Sequence, residues 1–191
     1  GTPEFDLFVK EIRKEMTVKA GQKCTAIRRI LVPEPHIDAF QESLIAQLSK
    51  TVIGDPSVEG VRMGSLVGCS QRDDVVAQVS KLSSESDIVF GSTLSSDLSL
   101  VGASSEVGTF VSPILLRVKD SSTAVNVHEI EAFGPVSSVM SYNKVEEAVA
   151  LSKKGKGSLC CSITTHDQSV ATEFVRNAAS MHGRILVLDR E

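Results

Sequence analysis

The sequence predicts an α/β fold, an open, largely parallel sheet with helices on both faces. Three observations carry this. Runs with helical spacing and runs with strand character alternate several times along the 191 residues, as they do in chains of βα units. The connections carry little hairpin chemistry, so most successive strands must run in the same direction. Hydrophobic residues make up 41% and charged residues 23%, enough apolar surface to cover a sheet from two sides.

The elements follow in order. From Phe5 to Lys19, Phe5, Phe8, Val9, Ile12 and Met16 recur at helical spacing, with Gly21 as the stop. "RRILV" (28–32) reads as a strand ended by Pro33 and Pro35, and residues 36–52 as an amphipathic helix closing at Gly54-Asp55-Pro56. Residues 70–86 form a third helix with Ser70 as its N-cap, and "DIVFG" (87–91) a strand. A Ser/Gly-rich loop spans 92–108. Strand-like runs at 108–118 and 134–142 flank a segment containing His128, Glu129 and Glu131. A helix over about 144–153, a strand at 158–165, a helix over about 167–181 and a strand at 184–188 complete the chain.

Composition excludes several function classes. The net charge of −4 provides no electrostatic footprint for nucleic acid or an anionic membrane surface. No apolar run approaches the ~20 residues of a membrane span, and no signal peptide opens the chain. The four cysteines, Cys24, Cys69, Cys160 and Cys161, show no paired CxxC spacing, so no metal site is expected. Cys160 and Cys161 sit in the apolar run "SLCCSITT" and read as small buried strand residues. Free thiols point to a reducing, cytoplasmic setting. The chain begins Gly-Thr-Pro and stops just after a strand-like run, so we expect a single domain, residues 1–191, excised from a longer protein.

Two stretches invite chemistry. "KAGQKCTAIRR" (19–29) places Cys24 among positive charges at a helix-to-strand junction, where α/β folds concentrate ligand sites. Its residues admit a reactive nucleophile or an ordinary half-buried thiol. "IEAFGPV" (130–136) places Glu131 just before an aromatic and a Gly-Pro turn, either as an acceptor for ligand hydroxyls or as a plain loop carboxylate. His36 and His166 fall at helix starts, His128 in a loop and His182 at a helix end. Surface or capping roles suit all four. A Cys24–His128 pair is conceivable, though no spacing supports it. There is no GxGxxG and no P-loop.

Together these stretches resemble the catalytic domain of the aldehyde dehydrogenase superfamily. "GQKC" is similar to its G-Q-x-C nucleophile motif and "EAFGPV" to its E-x-F-G-P-V motif. "VIGDP", "EGVRMGSLV", "RDDVVAQV" and "GKGSLCCSITTHD" resemble the runs that follow in that family, so the likeness spans residues 5–188. "EFDLFVKEIRKEMTVKAGQKCTAIRRILVP" and "HGRILVLDRE" resemble the dehydrogenase part of the bifunctional PaaZ-type family of phenylacetate degradation. In that family the dehydrogenase is joined to a C-terminal hydratase-like domain.

The resemblance implies a mechanism and a set of partners. Cys24 would attack an aldehyde to give a thiohemiacetal, NADP or NAD would take the hydride, and water would hydrolyse the thioacyl enzyme. Glu131 and Phe133 would bind the cofactor, and the Cys24 backbone N–H would help hold the oxyanion. The substrate implied is a semialdehyde coenzyme A thioester, and the parent would be a homo-oligomer. No E-L-G-G-K-type stretch carrying the family's general-base glutamate precedes Cys24, the dinucleotide-binding domain is absent, and "MGSLV" has serine where many members have proline. The fragment alone is therefore expected to be nearly inactive. Two other readings stay open at this point: a cysteine hydrolase or acyltransferase pairing Cys24 with a histidine, and a non-catalytic scaffold. A histidine nitrogen in hydrogen-bond reach of the Cys24 sulfur would mark the hydrolase, whereas Glu131 facing the same cleft as Cys24 would favour the dehydrogenase.

Overall fold

Residue alternation along the central strands explains the layering. In the computed structural model, which describes residues 1–189, the strands β1 (Arg29–Pro33), β3 (Ser86–Phe90), β5 (Ile114–Val118) and β6 (Val136–Tyr142) form one sheet in the order β1-β6-β5-β3. β1 and β5 both run parallel to β6, and β3 lies antiparallel on the edge of β5. On β5, Ile114, Leu116 and Val118 enter one apolar cluster while Leu115 enters another. β6 divides Val136 and Met140 from Val139 in the same way. A strand buried on both sides needs helices on both faces.

The first face is covered by α1 (Pro3–Thr17) and α2 (Ile37–Leu48), which pack Val9, Ile12, Met16, Phe40 and Leu44 on Ile30, Val32, Leu115 and Val139. Phe8 and Phe40 meet with ring centroids 5.1 Å apart. The apolar stripe of α1 is thus used within the domain. The other face is covered by α3 (Cys69–Leu82) through Val75, Val79 and Leu82. Beyond β1, α5 (Val145–Lys154) and α6 (Gln168–Ala178) pack on a separate parallel pair, β7 (Cys161–Thr164) and β8 (Ile185–Leu188). A further two-residue parallel pair joins β2 (Ile53–Gly54) to β4 (Leu100–Val101). The described strands therefore form three sheets, all parallel except at β3.

Local chemistry accounts for the departures from expectation. The second helix ends at Leu48 rather than near 52, because Ile53–Gly54 is drawn into pairing with β4 and the Asp55 N–H bonds Val101 O at 2.9 Å. α3 begins at Cys69 with Gly68 as N-cap, so Ser70 lies inside the helix and is not the cap. The same helix stops at Leu82, where the Ser83 and Ser84 hydroxyls donate to Val79 O at 2.9 Å and Lys81 O at 2.7 Å. Residues 108–113 join no strand, since the Leu66 N–H bonds Thr109 O at 2.9 Å and the Thr109 hydroxyl returns to Leu66 O at 2.8 Å. Pro113 has no N–H to offer a ladder. A one-turn helix, α4 (Asn126–Glu129), replaces the expected loop around His128. Arg190 and Glu191, the end of the "HGRILVLDRE" stretch, lie outside the described residues.

Candidate active site

The loop bearing Cys24 is built from backbone that most residues avoid. After α1 the chain makes a 3-10 turn, Val18–Gly21, in which Lys19, Ala20 and Gly21 have φ of 53, 50 and 69°. Left-handed backbone costs about 1–2 kcal/mol at a non-glycine residue, so the surrounding contacts must hold it. Gly21 meets a second demand: a Cβ there would lie 2.1 Å from Gly134 O. The two quoted motifs therefore touch backbone to backbone. Gln22 Oε1 accepts from the Val67 N–H at 2.9 Å, and Lys23 pairs with Glu15 of α1. The Ala26 N–H bonds Lys23 O at 3.0 Å, closing a turn that presents Cys24 at its tip. Cys24 is a free, exposed thiol, and among the described residues no acceptor within the chain bonds its N–H.

The second loop is hung from α4. Glu85 caps that helix, accepting from the Val125 N–H at 3.0 Å and the Val127 N–H at 2.7 Å. The next residues alternate, with Glu131 exposed, Ala132 buried and Phe133 exposed. Phe133 takes a φ of 51°, which leaves its ring 46% exposed, as Gly134 settles against Val75. The Ile114 N–H then bonds Pro135 O at 2.8 Å and seats the turn at the head of β5 and β6.

Cys24, Glu131 and Phe133 line one cleft of about 740 Å³. Its walls are α1, the length of β1, and β7 with the residues leading into it. The structure thus joins all three sequence-predicted residues, though the first and last are 109 positions apart. It brings none of the histidines to the thiol, since no histidine nitrogen bonds the Cys24 sulfur among the described residues. His128 is buried rather than at the surface, with Arg29 Nη1 2.8 Å from its Nδ1. His182 Nδ1 is 2.7 Å from Ser158 Oγ, and His166 Nδ1 is 2.8 Å from Asp189. His36 is exposed on the cleft. The hydrolase geometry is not formed.

Cys160 and Cys161 are only half-buried and also line the cleft. Burial nonetheless pushes the Cys161 thiol up from its ordinary range. Cys160 Sγ lies 3.7 Å from Thr25 O, one residue from Cys24. Sequence reasoning missed Gln22, Glu15, Glu85 and Arg29 as organisers of the two loops. Their signals, if any, were a glutamine beside the cysteine and paired arginines opening a strand, neither of which names a partner far along the chain. Glu4, His166 and Asp189, whose ligand-type atoms lie within 4.8 Å of one another, are likewise gathered only by the fold.

A parallel, helix-covered sheet with an exposed cysteine on a strained loop against a Glu-x-Phe-Gly-Pro turn defines a class of protein. The chain belongs to the aldehyde dehydrogenase family, whose sequence model matches residues 2–185. It is 43% identical over 189 residues to 3,4-dehydroadipyl-CoA semialdehyde dehydrogenase of Aromatoleum evansii, covering 99% of this chain and 36% of that protein. It is 38% identical over 128 residues to Protein MaoC of Klebsiella aerogenes, covering 66% of this chain and 36% of that one. Betaine aldehyde dehydrogenase from Staphylococcus aureus, solved with NAD+, superposes with a TM-score of 0.84 at 24% identity, over 97% of this chain and 35% of that one. An NAD-dependent aldehyde dehydrogenase from Sinorhizobium meliloti gives 0.82 at 24% identity, over 96% and 34%. These likenesses establish the fold, and the chain spans about a third of each relative's length.

Proposed function

We propose that this chain is the nucleophile-bearing catalytic domain of an NAD(P)-dependent aldehyde dehydrogenase, one part of a longer enzyme. The observation that carries the reading is the shared cleft, in which an exposed thiol, an exposed carboxylate and an exposed aromatic ring stand on two loops in backbone contact. Cys24 is the nucleophile: its sulfur adds to the aldehyde carbon to give a thiohemiacetal, and the thioacyl enzyme that follows is hydrolysed to the acid. The Cys24 N–H bonds no acceptor among the described residues, which supports a role in receiving the developing oxyanion.

Glu131 and Phe133 fit a nicotinamide cofactor. The carboxylate can accept from ribose hydroxyls and the ring offers an apolar face, both solvent-facing on a cleft of about 740 Å³. When bound, the nicotinamide supplies the hydride acceptor. The dinucleotide-binding domain, the general base and, in a bifunctional parent, a hydratase-like domain belong to the remaining length. The 43% identity to a coenzyme A semialdehyde dehydrogenase supports a semialdehyde on a coenzyme A thioester as substrate, in phenylacetate degradation. We read the parent as a homo-oligomeric, cytoplasmic enzyme using NADP or NAD.

The test is aldehyde-dependent formation of NAD(P)H by the full-length enzyme, repeated with Cys24→Ala. Loss of at least about a thousand-fold in kcat is expected for removal of a covalent nucleophile. Retained turnover would remove Cys24 from this role.

A further inference from the structure

We propose that Arg29 and His128 are positioning residues that hold the Glu131–Phe133 loop in register with the nucleophile loop. The proposal rests on the reading of Cys24, Glu131 and Phe133 given above.

Arg29 opens β1, so its backbone is continuous with the Cys24 turn, and His128 lies on α4 just before Glu131. The half-buried Arg29 guanidinium reaches three acceptors: His128 Nδ1 at 2.8 Å, Leu151 O at 2.9 Å and Ser152 O at 3.0 Å. One side chain therefore ties the strand that follows the nucleophile turn, the last turn of α5 and the helix ahead of Glu131 at a single point. The two carbonyls are in the last turn of α5, where a cation is also favoured by the helix dipole.

The geometry dictates the state of the imidazole. A guanidinium can only donate, so Nδ1 must present its lone pair, and the ring is neutral with its proton on Nε2. That Nε2 is buried without a partner, in a side chain only 3% exposed. An apolar residue would pack there with no orphaned N–H. What histidine offers at this position is the Nδ1 acceptor.

α4 also needs outside support, because one helical turn cannot sustain itself. Glu85 bonds its first amides and Lys156 pairs with Glu129 at 3.1 Å, but both grips lie near the surface. Two contacts lead back to the segment that follows Cys24. Arg28 Nη2 donates to the His128 backbone O at a long 3.5 Å, and Arg29 Nη1 meets the His128 ring at 2.8 Å, the shorter of the two and the one that depends on the imidazole. Release of the Arg29 contact would let Glu131 and Phe133 drift relative to the thiol, and a displacement of about 1 Å suffices to lose a large part of an oriented reaction.

The test uses the full-length enzyme with His128→Leu, His128→Asn and Arg29→Lys. Asparagine keeps an acceptor where Nδ1 stood, leucine removes it, and lysine keeps the charge without the fork. Four quantities are read: KM for NADP+ and NAD+, kcat, the rate of Cys24 alkylation by iodoacetamide without cofactor, and the thermal midpoint. His128→Leu should raise KM for the nicotinamide by about five-fold or more with alkylation within about two-fold of the parent, and His128→Asn should restore it. The proposal is overturned if KM is unchanged, if asparagine behaves like leucine, or if kcat, alkylation and midpoint fall together at constant KM. Should His128→Leu fail to fold, Arg29→Lys is read by the same criteria. Glu131→Gln separates the two levels. If it leaves the nicotinamide KM unchanged, the reading of Glu131 fails. If it raises KM while His128→Leu does not, the positioning proposal alone fails.

Discussion

Gly21 is the residue at which the two candidate loops meet. Its φ of 69° and the 2.1 Å approach that a Cβ would make to Gly134 O leave no place for a side chain. Gly21→Ala is expected to cost at least about 2 kcal/mol, which lowers the thermal midpoint of a domain of this size by roughly 4–8 °C. Because the strain falls between Cys24 and Glu131, the variant should lose more turnover than stability, which paired melting and steady-state kinetics would separate. His128 provides a second residue-level prediction. Its pKa is lowered from 6.5 to about 4, first by burial and then by Arg29, Lys154 and Arg28, against a smaller opposite pull from Glu85. The unfolded chain binds the proton more readily than the folded one, so stability is complete above about pH 6.5 and falls as pH drops toward 4. The loss attributable to this group is on the order of 2–3 kcal/mol. His128→Asn should flatten that part of a stability–pH curve measured by denaturant titration, and an unchanged slope would show that other groups carry it.

Among the elements, those with long apolar periodicity were legible and those made by tertiary partners were not. α1, α2, α5 and α6 and the strands at β1, β3, β6, β7 and β8 stand within a few residues of their sequence-based positions, because each buries its own stripe or alternating face, whereas of the run expected over 108–118 only Ile114–Val118 pairs as β5. β2 and β4 are two-residue strands made by pairing with each other and, for β2, by a bridge from Ile53 to Met63, and α4 stands on Glu85 and Arg29. No local pattern announces such elements. The antiparallel edge at β3 was equally hidden, since a long connection says nothing about direction. α6 carries a side-chain N-cap: Asp167 Oδ1 accepts from the Ser169 N–H at 2.8 Å and the Val170 N–H at 3.2 Å. Asp167→Ala should cost about 1 kcal/mol with no effect on Cys24 alkylation. Phe40, fully buried between α1 and the sheet, should cost about 3–5 kcal/mol when cut to alanine, read as a shift in the denaturant midpoint.

At the scale of the whole molecule, the cleft is formed between β1 and the β7–β8 pair, and among the described residues no backbone ladder joins those two sheets. The chain covers about a third of its relatives' length, and on the function proposed here the cofactor domain comes from the remainder. The 191-residue chain expressed alone is expected to alkylate at Cys24 yet form no NAD(P)H from aldehyde, while the full-length enzyme does both. Turnover by the isolated chain would overturn that division of labour. The sequence by itself determined the alternating elements, the two-faced sheet, the family and the three candidate residues, because periodic burial and short motifs are local patterns in one dimension. Only the tertiary structure decided that Gly21 touches Gly134, that His128 serves Arg29 rather than Cys24, and that α4 carries Glu131 to the thiol's cleft. Those facts depend on contacts between residues roughly a hundred positions apart, which packing and hydrogen bonding select and no single stretch of chain encodes.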